Sequence, residues 1–242
     1  MSVSRAPFTV QSLDADALHV HRSLAVLFDL DGTLVDTIEL ILSSVRHTFA
    51  ERRRGPSDAD WIAGIGKPLR TQLAEYADDA ADLDALVERY RQHQRAHHDA
   101  MTRCYAGVHE VLAGIRADGH RIGVVTSKLA APAERALRHV GLHELVEVLI
   151  GADDCERAKP HPEPVLRALA RLGAPPEAAL FVGDSPHDVA AGNAAGVVTA
   201  AVLWGACGRE VLLSAGPDHV LSDIGEILTL VRALASTPAA HM

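Results

Sequence analysis

The sequence predicts an α/β protein built on a doubly wound parallel sheet. Short apolar runs alternate with helical patterns of apolar residues over most of the 242 residues. The predicted strands are residues 24–28, 121–126, 145–150, 178–182 and 197–203. The predicted helices that alternate with them are 108–115, 132–140, 162–172, 186–195 and 223–234. Such sheets bind ligands beyond the carboxyl ends of their strands, so the residues that follow these strands are the first functional candidates.

A helical region interrupts this alternation near the start of the chain. Helical spacing of apolar residues follows the first strand, and Asp36 with Glu39 three residues later resembles a capping box at its start. From residue 57 to about 103, helical periods continue without a β-branched strand run. We therefore predict a discontinuous core of residues 22–37 and 104–236, a small inserted α-helical cap of residues 38–103, and an N-terminal extension of residues 1–21.

The composition excludes several classes of protein. Hydrophobic residues make up 48% and charged residues 23% of the chain, which is not typical of collagen-like, coiled-coil or disordered proteins. The formal net charge of −9 disfavours nucleic acid and anionic membranes as partners. Three cysteines without a CxxC pair favour a reducing compartment. Because residues 1–22 lack a secretory pattern and no uncharged apolar run reaches 18 residues, we predict a cytoplasmic location.

Three predicted strands end in polar residues that can carry chemistry. These residues are Asp29 and Asp31 after residue 28, Thr126 and Ser127 after residue 125, and Asp184 with Asp188 after residue 182. A proline-rich loop adds Lys159. Two carboxylates about 4 Å apart repel by about 4 kcal/mol at an effective dielectric of 20, so a cluster of them needs a cation. The all-oxygen set suits Mg²⁺, which binds carboxylates together with substrate phosphate.

The residue types also suggest chemical roles. A carboxylate can form an aspartyl-phosphate, which makes Asp29 a candidate nucleophile. Asp31, two residues further on, can serve as general acid and then as general base. Gly32 permits the tight turn that follows them.

These motifs resemble those of a known superfamily. Residues 29–37 read DLDGTLVDT and resemble the first motif of the haloacid dehalogenase (HAD) superfamily phosphatases. Thr126, Lys159 and Asp184 with Asp188 match the second, third and fourth motifs in the right order. The resemblance covers residues 24 to about 235. It implies a Rossmann-like core, a helical cap inserted after the first motif, and Mg²⁺-dependent phosphoryl transfer through Asp29.

The resemblance also implies roles for individual residues. It assigns the metal to Asp29, the backbone carbonyl of Asp31 and Asp184, with Asp188 in support. Thr126 and Lys159 would hold the transferring phosphoryl oxygens, and Ser127 beside them is a candidate substrate-binding residue. True dehalogenases lack the second acid of the first motif, so Asp31 argues against dehalogenation.

Within the superfamily, the chain resembles the branch of phosphoglycolate phosphatases and the HAD-type inorganic pyrophosphatase. The segments that carry this narrower resemblance are 39–44 (ELILSS), 97–100 (HHDA), 159–165 (KPHPEPV) and 183–188 (GDSPHD). A small phosphate compound, either pyrophosphate or 2-phosphoglycolate, is the substrate that this resemblance implies.

Substrate selectivity should come from the cap, where several residues have two interpretations. Residues 64–70 (GIGKPLR) match no phosphate-loop pattern and follow no strand. They are either a turn between two cap helices or a specificity loop whose Lys67 or Arg70 meets the distal group of the substrate. His97 and His98, near the end of the cap, are candidates for substrate contact. Together with His93 they have the i, i+4 spacing of a metal site, although a solvated helix end explains them more simply.

The same residues are compatible with other functions. A receiver domain that accepts phosphate also combines acidic residues, a hydroxyl and a lysine on a doubly wound sheet, but its phosphorylated Asp follows the third strand. A phosphosugar phosphatase or a β-phosphoglucomutase-like phosphotransferase would use the same motifs. The sequence indicates neither the substrate nor the oligomeric state.

Overall fold

The computed structural model describes residues 22–236. In that range the strands are β1 (Ala25–Phe28), β2 (Val35–Asp36), β3 (Arg103–Cys104), β4 (Arg121–Val125), β5 (Val148–Ile150), β6 (Ala179–Gly183), β7 (Val198–Val202) and β8 (His219–Leu221). The helices are α1 (Ile38–Phe49), α2 (Asp58–Ala63), α3 (Leu69–Ala74), α4 (Ala80–Met101), α5 (Val108–Ala117), α6 (Ala130–His139), α7 (Glu163–Leu172), α8 (Pro186–Ala195), α9 (Arg209–Ser214) and α10 (Gly225–Ser236).

Six of the described strands form one parallel sheet in the order β5-β4-β1-β6-β7-β8. Numbered among themselves along the chain, these strands lie in the order 3-2-1-4-5-6, which confirms the doubly wound fold predicted from the sequence. The chain starts in the centre, winds to one edge and then crosses to the other side. The winding direction therefore reverses between β1 and β6, where such folds have a crevice at the carboxyl ends of the strands.

The sheet is buried on both faces, as parallel sheets generally are. In β1, Val26 and Phe28 pack into one apolar cluster, whereas Ala25 and Leu27 pack into another. Helices α5, α6 and α10 cover the first face, and α7 and α8 cover the second. Because both faces of the strand are apolar, the sequence shows a continuous apolar run there instead of an alternating one.

Helices α1 to α4 share an apolar cluster of their own. Its buried members include Leu42, Val45 and Phe49 of α1, Trp61 of α2, Leu73 of α3, and Leu86, Val87 and Tyr90 of α4. Arg52 links these helices, because it donates to the two carboxylate oxygens of Asp82 at 2.6 and 3.0 Å. The separate cluster supports a helical insert, and its proposed bounds of 38 and 103 remain a prediction.

A two-stranded antiparallel ribbon of β2 and β3 carries the chain out to these helices and back, with Asp36 opposite Arg103. The sequence pattern does not predict it, because each strand has only two residues. The ribbon also shows that the capping box predicted for Asp36 and Glu39 is wrong. Asp36 lies in β2, and α1 begins at Ile38 after Thr37 without a side-chain cap.

The remaining elements follow the predicted order, with two additions near the C-terminus, α9 and the edge strand β8. Residues 64–68, called the cap turn below, connect α2 and α3, and residues 69 and 70 of the predicted segment belong to α3. A connecting turn is compatible with both interpretations of this segment. The predicted extension of residues 1–21 lies outside the described residues. Among the residues that are described, no helix combines the length and apolarity needed to cross a membrane.

Candidate active site

Three strands deliver their predicted residues to one edge of the sheet. Asp29 follows β1 and continues its pairing with β6, since its N–H donates to the carbonyl of Val182 at 2.9 Å. Asp184 follows β6 at the other side of the switch point. Thr126 follows β4, where its N–H donates to the carbonyl of Ile150 at 2.9 Å. Parallel pairing thus brings residues that are distant in sequence to a common edge.

Three buried carboxylates meet at this edge. Asp29, Asp184 and Asp188 each place one carboxylate oxygen within 4.8 Å of the others. Asp188 reaches the cluster from the first turn of α8. Ser185 caps this helix, and both its N–H (3.0 Å) and its hydroxyl (2.6 Å) donate to the Asp188 carboxylate. The site therefore has two carboxylates at strand ends and one at a helix start.

Glycines allow the chain to close around Asp184. At Gly32, where φ is +84°, and at Gly205, an added Cβ would overlap the carboxylate of Asp184. The Ala206 N–H donates to the same carboxylate at 2.8 Å. The backbone thus encloses Asp184 at distances that only glycine permits.

Lys159 supplies a positive charge inside this cluster. Its Nζ lies 2.6 Å from Asp188 Oδ1 and 3.0 Å from Asp29 Oδ1, and it donates to the carbonyl of Val125 at 3.2 Å. Burial alone would lower the pKa of Lys159, but Asp188 and Asp29 raise it above its usual value. The ammonium is therefore held charged at the position predicted for the third motif.

One ammonium does not compensate three carboxylates. Burial raises the pKa of Asp29 to about 7, with Lys159 opposing the shift and Asp188 adding to it. Burial likewise raises the pKa of Asp184 well above its usual value, and the charges of Asp29 and Asp188 add to that shift. The site thus holds more negative charge than its own protein cation can offset.

The donor set fits a divalent cation. All candidate ligand atoms are carboxylate oxygens, and excess negative charge with hard oxygen donors is typical of Mg²⁺ sites. Both oxygens of Asp188 already accept hydrogen bonds, from Lys159 and from Ser185. Asp184 also accepts on both oxygens, but from a hydroxyl (Thr33, 3.4 Å) and a backbone N–H (Ala206, 2.8 Å), whereas Asp188 is bound to the buried ammonium itself. This difference agrees with the resemblance, which assigns Asp29 and Asp184 to the metal and gives Asp188 a supporting position.

Asp31 has different partners. Its Oδ1 accepts hydrogen bonds of 2.6 Å from both the Thr37 hydroxyl and the Lys128 ammonium. Lys128 is not among the site residues predicted from the sequence, although it directly follows Thr126 and Ser127 in the loop after β4. Its position beside two predicted site residues was the only sequence signal for it.

Thr126 and Ser127 separate in their contacts. Thr126 is buried at the end of β4, and its hydroxyl accepts the Lys128 N–H at 3.1 Å. Ser127 instead donates from its hydroxyl to the carbonyl of Gly66 at 2.5 Å. The predicted substrate-binding residue Ser127 thus contacts the cap turn.

The structure brings only part of the predicted cap set towards the sheet edge. Lys67, in the cap turn, lies near enough to His187 for its charge to help burial lower the pKa of that imidazole. Its Nζ lies 3.4 Å from Glu75. Arg70 is exposed and forms an ion pair of 2.6 Å with Asp84 on α4. Arg70 is therefore paired with a residue of the cap helices, and no hydrogen bond or ion pair connects it to the described residues at the sheet edge.

The two histidines near the end of α4 also differ. His97 is exposed, and its ring stacks on His93 with 4.1 Å between centroids. His98 is buried, bonds Asp99 at 2.7 Å through Nδ1, and packs edge-on against His139 of α6. These contacts describe His97 as part of a surface stack and His98 as part of the packing between α4 and α6.

Comparisons with known proteins identify the family of the chain. A family model for haloacid dehalogenase-like hydrolases matches residues 26–202, from β1 through β7. The pyrophosphatase PpaX of Halalkalibacterium halodurans is 39% identical over 207 residues, which cover 85% of this chain and 95% of that protein. The pyrophosphatase PpaX of Anoxybacillus flavithermus gives the same values.

Solved structures show the same fold. A predicted phosphoglycolate phosphatase from Haemophilus somnus has a TM-score of 0.80 at 23% identity and covers 87% of this chain and 99% of its own. A haloacid dehalogenase-like family hydrolase from Streptococcus pneumoniae has a TM-score of 0.76 at 24% identity, covering 86% and 98%. Membership of a hydrolase family excludes the receiver-domain alternative. The chain therefore belongs to the haloacid dehalogenase-like hydrolases and is a phosphatase related to the PpaX pyrophosphatases.

Proposed function

We propose that this chain is a Mg²⁺-dependent phosphohydrolase that acts on a small phosphate compound, with pyrophosphate as the leading substrate, through an aspartyl-phosphate on Asp29. The observation that carries the proposal is the meeting of Asp29, Lys159 and Asp184 in one buried cluster at the switch point of the sheet. Buried charged groups of this kind cost folding energy unless they are paired, so their concentration is typical of a functional site.

The proposed reaction has two steps. A carboxylate oxygen of Asp29 bonds to phosphorus while the bond from phosphorus to the leaving oxygen breaks, and Asp31 gives that oxygen a proton. Asp31 then takes a proton from water, whose oxygen bonds to phosphorus as the bond to Asp29 breaks. The second step releases phosphate and restores the free carboxylate.

The other site residues would hold the reacting group. Lys159 and Thr126 would bind the phosphoryl oxygens, the first by charge and the second by its hydroxyl. Asp29, Asp184 and the backbone carbonyl of Asp31 would hold Mg²⁺, with Asp188 in support. When bound, Mg²⁺ offsets negative charge on the transferring phosphoryl group.

Two observations favour pyrophosphate as the proposed substrate. The curated relatives at 39% identity are pyrophosphatases, and Lys67 lies in the turn that the cap presents to the sheet edge. A terminal phosphate carries more charge and more acceptor oxygens than the carboxylate of 2-phosphoglycolate, so it gains more from an ammonium. Arg70 stays a candidate for the same role, although it would first have to leave Asp84.

A phosphate-release panel tests the proposal. Wild type and an Asp29→Asn variant are compared on pyrophosphate, 2-phosphoglycolate, sugar phosphates and nucleotides at matched concentration with Mg²⁺. We expect the highest kcat/KM for pyrophosphate. A higher kcat/KM for 2-phosphoglycolate would support the phosphatase function but identify a different substrate. Wild-type rates of phosphate release no higher than those of Asp29→Asn would reject the proposed mechanism. A coupled assay for conversion of β-glucose 1-phosphate to glucose 6-phosphate tests the mutase alternative.

The remaining expectations concern the context of the enzyme. We propose that residues 38–103 act as a cap over a core of residues 22–37 and 104–236. The cytoplasmic location and the exclusion of nucleic acid and membranes as partners stay predictions from composition.

A further inference from the structure

The cap turn is seated directly on the two loops that carry site residues. On one side, the hydroxyl of Ser127 donates to the carbonyl of Gly66 at 2.5 Å. On the other side, Gly66 packs against Ser185 and His187 at the start of α8. The loop after β4 also carries Thr126, and the first turn of α8 carries Asp188, so the turn contacts both margins of the acidic cluster.

The contact of the cap turn with Ser127, Ser185 and His187, called the seat below, requires glycine at position 66. Gly66 has φ of +98°, a conformation that residues with a Cβ rarely adopt. An added Cβ would lie 2.6 Å from the Ser185 hydroxyl and 3.0 Å from His187 Nδ1. The backbone of the cap turn therefore lies closer to the start of α8 than a residue with a Cβ would allow.

Lys67 is the residue whose position this seat controls. It directly follows Gly66, which packs against Ser185 and His187, so Lys67 leaves the turn beside the start of α8. It is half-buried, and its ammonium is 3.4 Å from Glu75. A shift of Gly66 would move Lys67 with it.

From these contacts we infer that Ser127 is a positioning residue for substrate selectivity: its hydrogen bond to Gly66 holds the cap turn so that Lys67 reaches the distal anionic group of the substrate. The inference rests on the proposed phosphatase function and deepens it. This role replaces the direct contact between Ser127 and substrate that was predicted from the sequence, because the Ser127 hydroxyl donates its hydrogen bond to the carbonyl of Gly66 in the cap turn.

A double-mutant cycle tests this role. Ser127→Ala, Lys67→Ala and the double variant are assayed with pyrophosphate and with p-nitrophenyl phosphate, whose distal end is apolar. The quantity of interest is the ratio of the two kcat/KM values. Ser127→Ala should lower the ratio by roughly two- to tenfold, as for one lost neutral hydrogen bond, and Lys67→Ala by roughly 10- to 100-fold. The double variant should match Lys67→Ala alone.

Direct substrate binding by Ser127 gives the opposite pattern. Equal losses on both substrates, which leave the ratio unchanged, or effects that multiply with those of Lys67→Ala, would overturn the inference. Ser214→Ala in α9, where the hydroxyl bonds only its own helix at 2.7 Å, is the matched control and should leave the ratio at its wild-type value.

Hydrogen–deuterium exchange tests the seat without any turnover. Peptides that span residues 64–68 should exchange faster in Ser127→Ala than in wild type, and Ser214→Ala should not change them. Unchanged exchange in Ser127→Ala would overturn the inference. If wild type fails to cleave pyrophosphate, the proposed substrate is wrong, and the exchange result still decides whether Ser127 holds the turn. The cycle is then repeated with the best substrate of the panel.

Discussion

Asp29, Asp31 and Asp188 lie in different environments, and these environments suit each of them to a different role. Asp188 has hydrogen-bond donors on both oxygens, so it is suited to hold Lys159 in place. Asp29 lies beside the same ammonium with its pKa raised to about 7 by burial. Asp31 is paired with Lys128 outside the buried trio. Sequence motifs predicted that these residues act together, but the partner of Asp31 required the structure.

Replacing the proposed nucleophile should abolish turnover without unfolding the protein. In Asp29→Asn the amide keeps the shape of the side chain but is a far poorer nucleophile. The change also removes one of the buried, mutually repelling carboxylates, so the melting temperature should not fall. Phosphate release and thermal unfolding measure the two effects. Turnover within tenfold of wild type would show that Asp29 is not the nucleophile.

Lys128 should matter for catalysis through Asp31. Lys128→Met removes the ammonium that holds Asp31 Oδ1, and we expect kcat to fall by about tenfold or more, because a positioned general acid and base contributes about 10² to 10⁴-fold. Lys128→Arg, which keeps the charge, should lose less. In an Asp31→Asn background the Lys128→Met change should cost little more. A full additional loss in that background would mean that Lys128 acts independently of Asp31.

At the scale of elements, the predictions succeeded where burial dominates the sequence pattern. The strands at the centre of the sheet, such as β1 and β6, are apolar on both faces and were visible as uninterrupted runs. The ribbon of β2 and β3 and the edge strand β8 have two or three residues each, too few to produce a period. The capping box at Asp36 failed because pairing with Arg103 determines the backbone there.

The cap turn provides an element whose seat can be weakened selectively. Gly66→Ala adds backbone strain at a φ of +98° and a clash with Ser185, whereas Gly119→Ala adds strain at a φ of +82° in open space. Strain alone should cost each variant about 1 kcal/mol of unfolding free energy. Denaturant unfolding measures that cost. The ratio of kcat/KM for pyrophosphate to kcat/KM for p-nitrophenyl phosphate shows whether the cap turn still supports substrate selectivity.

Only Gly66→Ala should lower that ratio. If both variants keep the wild-type ratio, the cap turn moves freely relative to the site. If both lose it, the effect comes from general destabilisation and the seat has no particular role.

At the scale of the whole molecule, the strand order explains why distant motifs form one site. The order 3-2-1-4-5-6 places β1 beside β6, so that Asp29 and Asp184 become neighbours although they are 155 positions apart in the sequence. Motif order along the chain was enough to predict this. The contacts between the cap and the sheet edge, such as Ser127 to Gly66, were not predictable, because docking of one unit on another leaves no local period in the sequence.

The crowded carboxylates lead to a prediction for the whole protein, namely that divalent cations stabilise it. Mg²⁺ at about 100 times its Kd should add about 2.7 kcal/mol to the unfolding free energy. For a protein of this size, each 1 kcal/mol raises Tm by about 2 to 4 °C. Asp184→Asn should abolish most of that rise, whereas Glu144→Gln, which alters an exposed carboxylate, should keep it.

Calcium should separate binding from catalysis at the same site. Ca²⁺ accepts longer bonds and more ligands than Mg²⁺, so it should also raise Tm while it misplaces the phosphoryl group relative to Asp29 and inhibits turnover. Thermal unfolding and phosphate release are measured on the same samples after chelation and after each metal is added back. We expect no turnover in the chelated protein, and recovery with Mg²⁺ alone. Full activity after exhaustive chelation would contradict the metal requirement, and a Tm that responds to neither ion would mean that the acidic cluster is not a metal site.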